Sequence, residues 1–76
     1  MRLPRVTASE VIRVLEHIAF TLNRQTGSHK IYKNYANQRV TVPYHAGEIL
    51  HPKLLKSILN DAALTVEEFV RIKDEI

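Results

Sequence analysis

Two periods of hydrophobic and polar residues alternate along the chain. Val11, Ile12, Val14, Leu15, Ile18 and Ala19 recur at helical spacing on one face, with Arg13, Glu16 and His17 opposite. Thr7-Ala8-Ser9-Glu10 precedes them with capping-box spacing, so the Thr7 hydroxyl can accept from the Glu10 amide while Glu10 reaches back. This helix is expected to end near Ile18 or Ala19. From Phe20 the period falls to two. In FTLNRQT, Phe20 and Leu22 alternate with Thr21 and Asn23, the pattern of a half-buried strand. Thr26-Gly27-Ser28 supplies a turn, HKIYKN returns as a second strand, and Tyr35-Ala36-Asn37-Gln38 turns again. RVTVP is a third strand, with Val40 and Val42 on one face and Arg39 and Thr41 on the other. Pro43 cannot donate to a ladder, so that strand ends there or lies at an edge.

The helical period resumes after the loop YHAGEILH. Pro52 suits a first helical position, and Leu54, Leu55, Ile58, Leu59 and Ala62 define a second amphipathic helix. Thr65-Val66-Glu67-Glu68 repeats the capping-box spacing and opens a third, with Val66, Phe69, Val70 and Ile72 inward. The element order is α-β-β-β-α with an extra C-terminal helix. Its economical packing is an α+β domain whose three-stranded antiparallel sheet is covered by helices on one face and polar on the other.

Size and composition narrow this further. Residues 1–76 leave room for one domain only. There is no cysteine, so neither disulfides nor thiolate metal sites staple the chain, and its 45% hydrophobic residues must form a core by packing. MRLPRVTASEV lacks an apolar stretch after its basic residues, and no run approaches the ~20 residues that span a bilayer. The expectation is a soluble cytoplasmic protein without membrane contact. The net charge of +3 is unevenly spread. Residues 1–39 hold seven Arg and Lys against two acids, and residues 40–76 hold four against six. From Arg24 to Arg39 there are four cations and no acid, a one-signed region that favours a polyanion or is simply a solvated basic hairpin.

The chemistry centres on TGSHKIY. Alternation places His29, Ile31 and Lys33 on one face of the second strand, and Lys30, Tyr32 and Asn34 on the other. Tyr32 is the better core residue, with its hydroxyl at the rim, which turns His29 to the open face near Arg24, Gln25 and Thr41. An imidazole held among cations can take the proton of a ribose 2′-hydroxyl or give one to the leaving 5′-oxygen, while Arg or Lys neutralises charge on phosphate. RNA brings its own nucleophile, so neither metal nor covalent intermediate is required. On these residues alone, a solvated histidine beside a turn is the simpler reading.

The flanking motifs shift that balance. Gly27, Ser28, His29 and Tyr32 are followed by Val40, Val42, Pro43, His45 and Gly47, and then by Leu55, Lys56, Ser57, Ile58 and Leu59. This series resembles the HicA-type (YcfA-like) toxins, whose signature is Gly-Ser-His with an aromatic three positions on, then Val-x-Val-Pro-x-His-x-Gly, then a helix like Leu-Arg-Ser-Ile-Leu. The resemblance covers about residues 7–70. It implies a double-stranded-RNA-binding-domain-like fold and a metal-independent mRNA interferase with His29 as the catalytic histidine. It also implies a HicB-type antitoxin that covers the His29 face. The chain departs from the pattern in three places. Ala19 replaces a common helix-ending Gly, so the first helix is expected to run on slightly; Lys53 replaces a frequent Gly; and Lys30 stands where a His or aromatic is usual.

The remaining expectations are specific. Arg24, Ser28, Lys30, Lys33 and Arg39 are candidate RNA contacts, Gly27 shapes the turn, and His45 is a candidate assistant to His29 or a loop residue. His45 and His51 are five apart with no accompanying carboxylate motif, so no metal site and no cofactor are expected. The competing readings are a non-catalytic RNA-binding module of the same fold and a protein-interaction domain.

Overall fold

The computed structural model describes residues 2–76. Helix α1 (Ala8–His17) opens on the expected capping box: Thr7 Oγ1 accepts from the Glu10 amide at 3.4 Å, and Glu10 Oε1 accepts from the Thr7 amide at 3.0 Å. The helix does not run on. It stops at His17, with Ile18 as its cap, and Ala19 takes the left-handed conformation at φ +73°. The Phe20 amide donates to the Leu15 carbonyl at 2.9 Å and the Ala19 amide to the Glu16 carbonyl at 3.2 Å, which together form a Schellman motif. Leu15 and Phe20, the apolar pair that accompanies the motif, are both buried. Their burial holds alanine where glycine would sit without strain.

Three strands follow, β1 (Thr21–Thr26), β2 (His29–Lys33) and β3 (Arg39–Pro43), antiparallel in the order β1-β2-β3. Pro43 both ends β3 and lies on an edge strand, where its missing N–H is tolerated. β1 differs from the half-buried expectation, because all six of its residues are exposed and Leu22 retains 49% of its surface. The buried aromatic of that run, Phe20, lies just before the strand and anchors the helix end instead. Helices α1 and α2 pack on β3, and β1 extends as the outer arm of a hairpin.

The segment after β3 folds back on the N-terminal strap. Thr7 and Ile49 form an isolated antiparallel bridge, and the Leu50 amide donates to the Val6 carbonyl at 2.8 Å. Helix α2 (Pro52–Asp61) starts on Pro52, as expected, but its cap is a histidine. His51 Nδ1 accepts from the Lys53 amide at 3.1 Å. Its C-terminus repeats the first Schellman motif, with Ala63 at φ +57° and the Leu64 amide donating to the Leu59 carbonyl at 2.9 Å. Helix α3 (Val66–Glu75) opens on the second capping box, in which hydrogen bonds from the Thr65 amide and hydroxyl hold the Glu68 carboxyl below its ordinary range.

The helix-covered face of the sheet presents Tyr32, Val40 and Val42, all at most 2% exposed, to Val14 and Leu15 of α1, Leu55 and Leu59 of α2, and Phe69 of α3. Burial, reinforced by the Glu16 carboxylate, raises the Tyr32 phenol above its ordinary value. Phe69 is fully buried, so α3 belongs to the core and is no loose appendage. The opposite face of the sheet carries no helix.

Candidate functional site

The open face is built outward from one turn. Thr26 pairs with His29, leaving Gly27 and Ser28 as a two-residue loop. Gly27 has φ +58° and Ser28 a negative φ, the sign pattern of a type II′ turn, whose twist matches that of the flanking strands. A Cβ added at Gly27 would meet nothing within 4 Å, so glycine is needed for its backbone angle and not for space. Gln25 Nε2 donates to the Gly27 carbonyl at 3.0 Å, bracing the turn from within.

A second brace comes from β3. The Tyr44 amide donates to the Ser28 carbonyl at 2.7 Å, linking the residue after Pro43 to the residue before His29. His29 and Pro43 are therefore a non-hydrogen-bonded pair, the closely spaced kind in which proline's missing donor removes no ladder bond. His29 thus begins β2 with its backbone held on both sides and its side chain exposed.

Register sets its company. Residues directly opposite share a face, so the open face reads Thr26, His29 and Pro43 in one row, Arg24, Ile31 and Thr41 in the next, and Thr21, Lys33 and Arg39 in the last. Arg24 is there because of a β-bulge. Leu22 opposes Tyr32 and Arg24 opposes Ile31, leaving Asn23 as the extra residue. Strict alternation would have kept Arg24 on the side of Leu22; the bulge carries it to the side of His29. Ile31, at 7% exposure, lies apart from the main core, shielded by these same-face neighbours.

Arg24, Lys33 and Arg39 therefore share the face of His29, whereas Gln25, expected near it, does not, and Lys30 lies on the opposite face as alternation predicts. Gln25 pairs with Lys30 on the helix side and serves the turn. Lys30, expected among the phosphate contacts, pairs with Val42, and its Nζ lies 4.2 Å from the centre of the Tyr44 ring in a cation–π contact. Ser28 lies in the turn, next to His29. His45 is exposed two residues beyond Pro43 and lines a shallow groove with Pro43, Glu48, Leu50 and His51. His29 does not line that groove, but Pro43, its strand partner, does. The sequence reading missed Tyr44, whose amide positions the turn and whose hydroxyl accepts from Ser9 Oγ at 3.3 Å.

The electrostatics of the face are one-sided. Among the described residues the one salt bridge is Lys73 to Asp74 at 3.0 Å, on α3, so no acid neutralises Arg24, Lys33 or Arg39. No three His, Cys, Asp or Glu side chains gather around a common point among the described residues. No helix there is long and apolar enough to cross a membrane. An exposed imidazole at one end of a face that carries three unpaired cations suits an extended anionic ligand, with which the imidazole can exchange a proton.

The comparisons with known proteins bear on the same residues. The family model described as HicA toxin of bacterial toxin–antitoxin matches residues 8–64, three quarters of the chain. The match runs from α1 through the end of α2 and includes the turn, the bulge and the open face of the sheet. Among curated proteins, none matches the chain.

Proposed function

The chain belongs to the HicA toxin family, the toxin half of a bacterial toxin–antitoxin pair, and from that premise we propose that it is an endoribonuclease that cleaves mRNA with His29 as general acid/base. The observation that carries the proposal is the open face itself: His29 exposed at the start of β2, on the same face of the sheet as unpaired Arg24, Lys33 and Arg39. Phosphate oxygens of an RNA strand sit against these cations. The His29 imidazole takes the proton of the ribose 2′-hydroxyl, whose oxygen attacks phosphorus. The P–O5′ bond breaks, the 5′-oxygen gains a proton, and a 2′,3′-cyclic phosphate remains. No metal enters these steps, because the substrate supplies its own nucleophile.

Gly27 shapes the turn, Ser28 is positioned beside the scissile phosphate, and His45 is the candidate second proton-transfer group. A HicB-type antitoxin neutralises the toxin by covering the His29 face, and the toxin acts in the cytoplasm on translated mRNA.

The test compares induced wild-type chain with His29→Ala. Wild type arrests growth and fragments a defined mRNA, whereas His29→Ala folds with unchanged stability, because His29 is exposed, and loses cleavage by about 10²- to 10⁴-fold. Retained cleavage by the purified variant refutes the role of His29. Retained RNA binding with no cleavage by either protein would instead establish a non-catalytic RNA-binding module.

A further inference from the structure

Tyr35 is 95% exposed, whereas the other exposed large apolar residues among those described, Leu22 and Ile49, are half covered. It sits in the β2–β3 turn, directly past the Lys33–Arg39 pair. Single exposed apolar side chains are ordinary, but the frame around this one is not. Asn34 Oδ1 accepts from the Ala36 amide at 3.1 Å and the Gln38 amide at 2.9 Å, and Asn34 Nδ2 donates to Gln38 Oε1 at 2.7 Å. The Asn37 amide donates to the Asn34 carbonyl at 3.0 Å, with Asn37 itself at φ +63°. One asparagine thus ties both sides of the turn and fixes the backbone that carries Tyr35. With the backbone fixed, a ligand that covers Tyr35 need order only its side chain, which has two torsions.

Its surroundings indicate the ligand. Residues 17–47 contain no Asp or Glu. From His29 to Lys33 the chain advances about 13 Å along β2, and Tyr35 lies two residues further. An RNA strand whose cleaved bond is at His29, and whose backbone follows Lys33 and Arg39, reaches Tyr35 a few nucleotides away.

We propose that Tyr35 is a stacking platform for a nucleobase of single-stranded RNA, extending the substrate site along the β2–β3 hairpin. This rests on the ribonuclease reading and adds a base contact to a face otherwise made of phosphate contacts. Stacking on an aromatic ring tolerates any base, so Tyr35 contributes affinity and placement without reading sequence.

The experiment uses full-length chain carrying His29→Ala, to prevent cleavage, and measures fluorescence anisotropy with labelled oligoadenylate and with a matching strand of abasic riboses. Tyr35→Ala should weaken oligoadenylate binding about 5- to 100-fold, leave the salt dependence unchanged, and have no effect on the abasic strand. Tyr35→Phe should bind like the parent, and neither change should alter thermal stability. Equal oligoadenylate binding by Tyr35→Ala overturns this inference while leaving the ribonuclease reading intact. So does an equal loss on both strands, or a loss confined to complexes with the antitoxin, which would make Tyr35 a protein contact. Failure of the His29→Ala parent to bind either strand overturns both readings.

Discussion

Replacing Gly27 with alanine isolates one physical demand of the site, a positive φ at the first position of the β1–β2 turn. Gly27 stands at φ +58°, and the added methyl would meet nothing within 4 Å, so the penalty is conformational and not steric. Left-handed backbone costs an L-residue about 1–2 kcal/mol. A domain of this size has about 4–11 kcal/mol of stability in total, so Gly27→Ala remains folded. Its midpoint should fall by about 4–8 °C for each kcal/mol lost. Urea unfolding followed by circular dichroism should show a lower midpoint with an unchanged m-value. The same turn carries Ser28 and aims His29, so Gly27→Ala should also lower RNA cleavage while folded. Equal stability of Gly27→Ala and wild type would refute the argument that the backbone angle demands glycine there.

Other consequences can be checked directly. Ala19→Gly and Ala63→Gly relieve left-handed alanines in the two Schellman motifs and should each stabilise the chain by about 0.5–1 kcal/mol, additively in urea unfolding because the motifs close different helices. Phe69→Ala, at a fully buried position, should cost about 3–5 kcal/mol, the largest loss among these variants, read as a lowered midpoint in urea unfolding by circular dichroism, although Phe69 lies beyond the family match. Neutralising Arg24, Lys33 and Arg39 together should reduce the log–log salt slope of RNA binding by about 2, whereas Lys30→Ala should leave that slope near the parent's, because Lys30 lies on the other side of the sheet.

Much of the fold is legible because its signals are local. Both capping boxes form as their spacing requires, and Pro52 marks the start of α2. Alternation alone puts Tyr32 inside and His29 outside. Misreadings arise where tertiary packing overrides the local pattern. FTLNRQT alternates like a half-buried strand, yet Phe20 is used to close α1 and β1 lies outside the helical cover. Ala19 argues for a longer helix, but burying Phe20 against the core favours a sharp stop. At the site, His29 and its neighbours Lys33 and Arg39 follow from period-two geometry. Arg24 joins them only through the bulge at Asn23, which no residue pattern announces. Nor does the sequence reveal the hydrogen bond from the Tyr44 amide to Ser28, which joins positions 16 residues apart, or His51 acting as a helix cap.

The most direct test of the central claim is the end-group chemistry of RNA cut by purified wild-type and His29→Ala proteins with a metal chelator present. The account predicts that wild type still cleaves, leaving 2′,3′-cyclic phosphate and 5′-hydroxyl ends, while His29→Ala leaves the RNA intact. Cleavage that stops with chelator, products bearing 5′-phosphate ends, or undiminished activity in His29→Ala would contradict it.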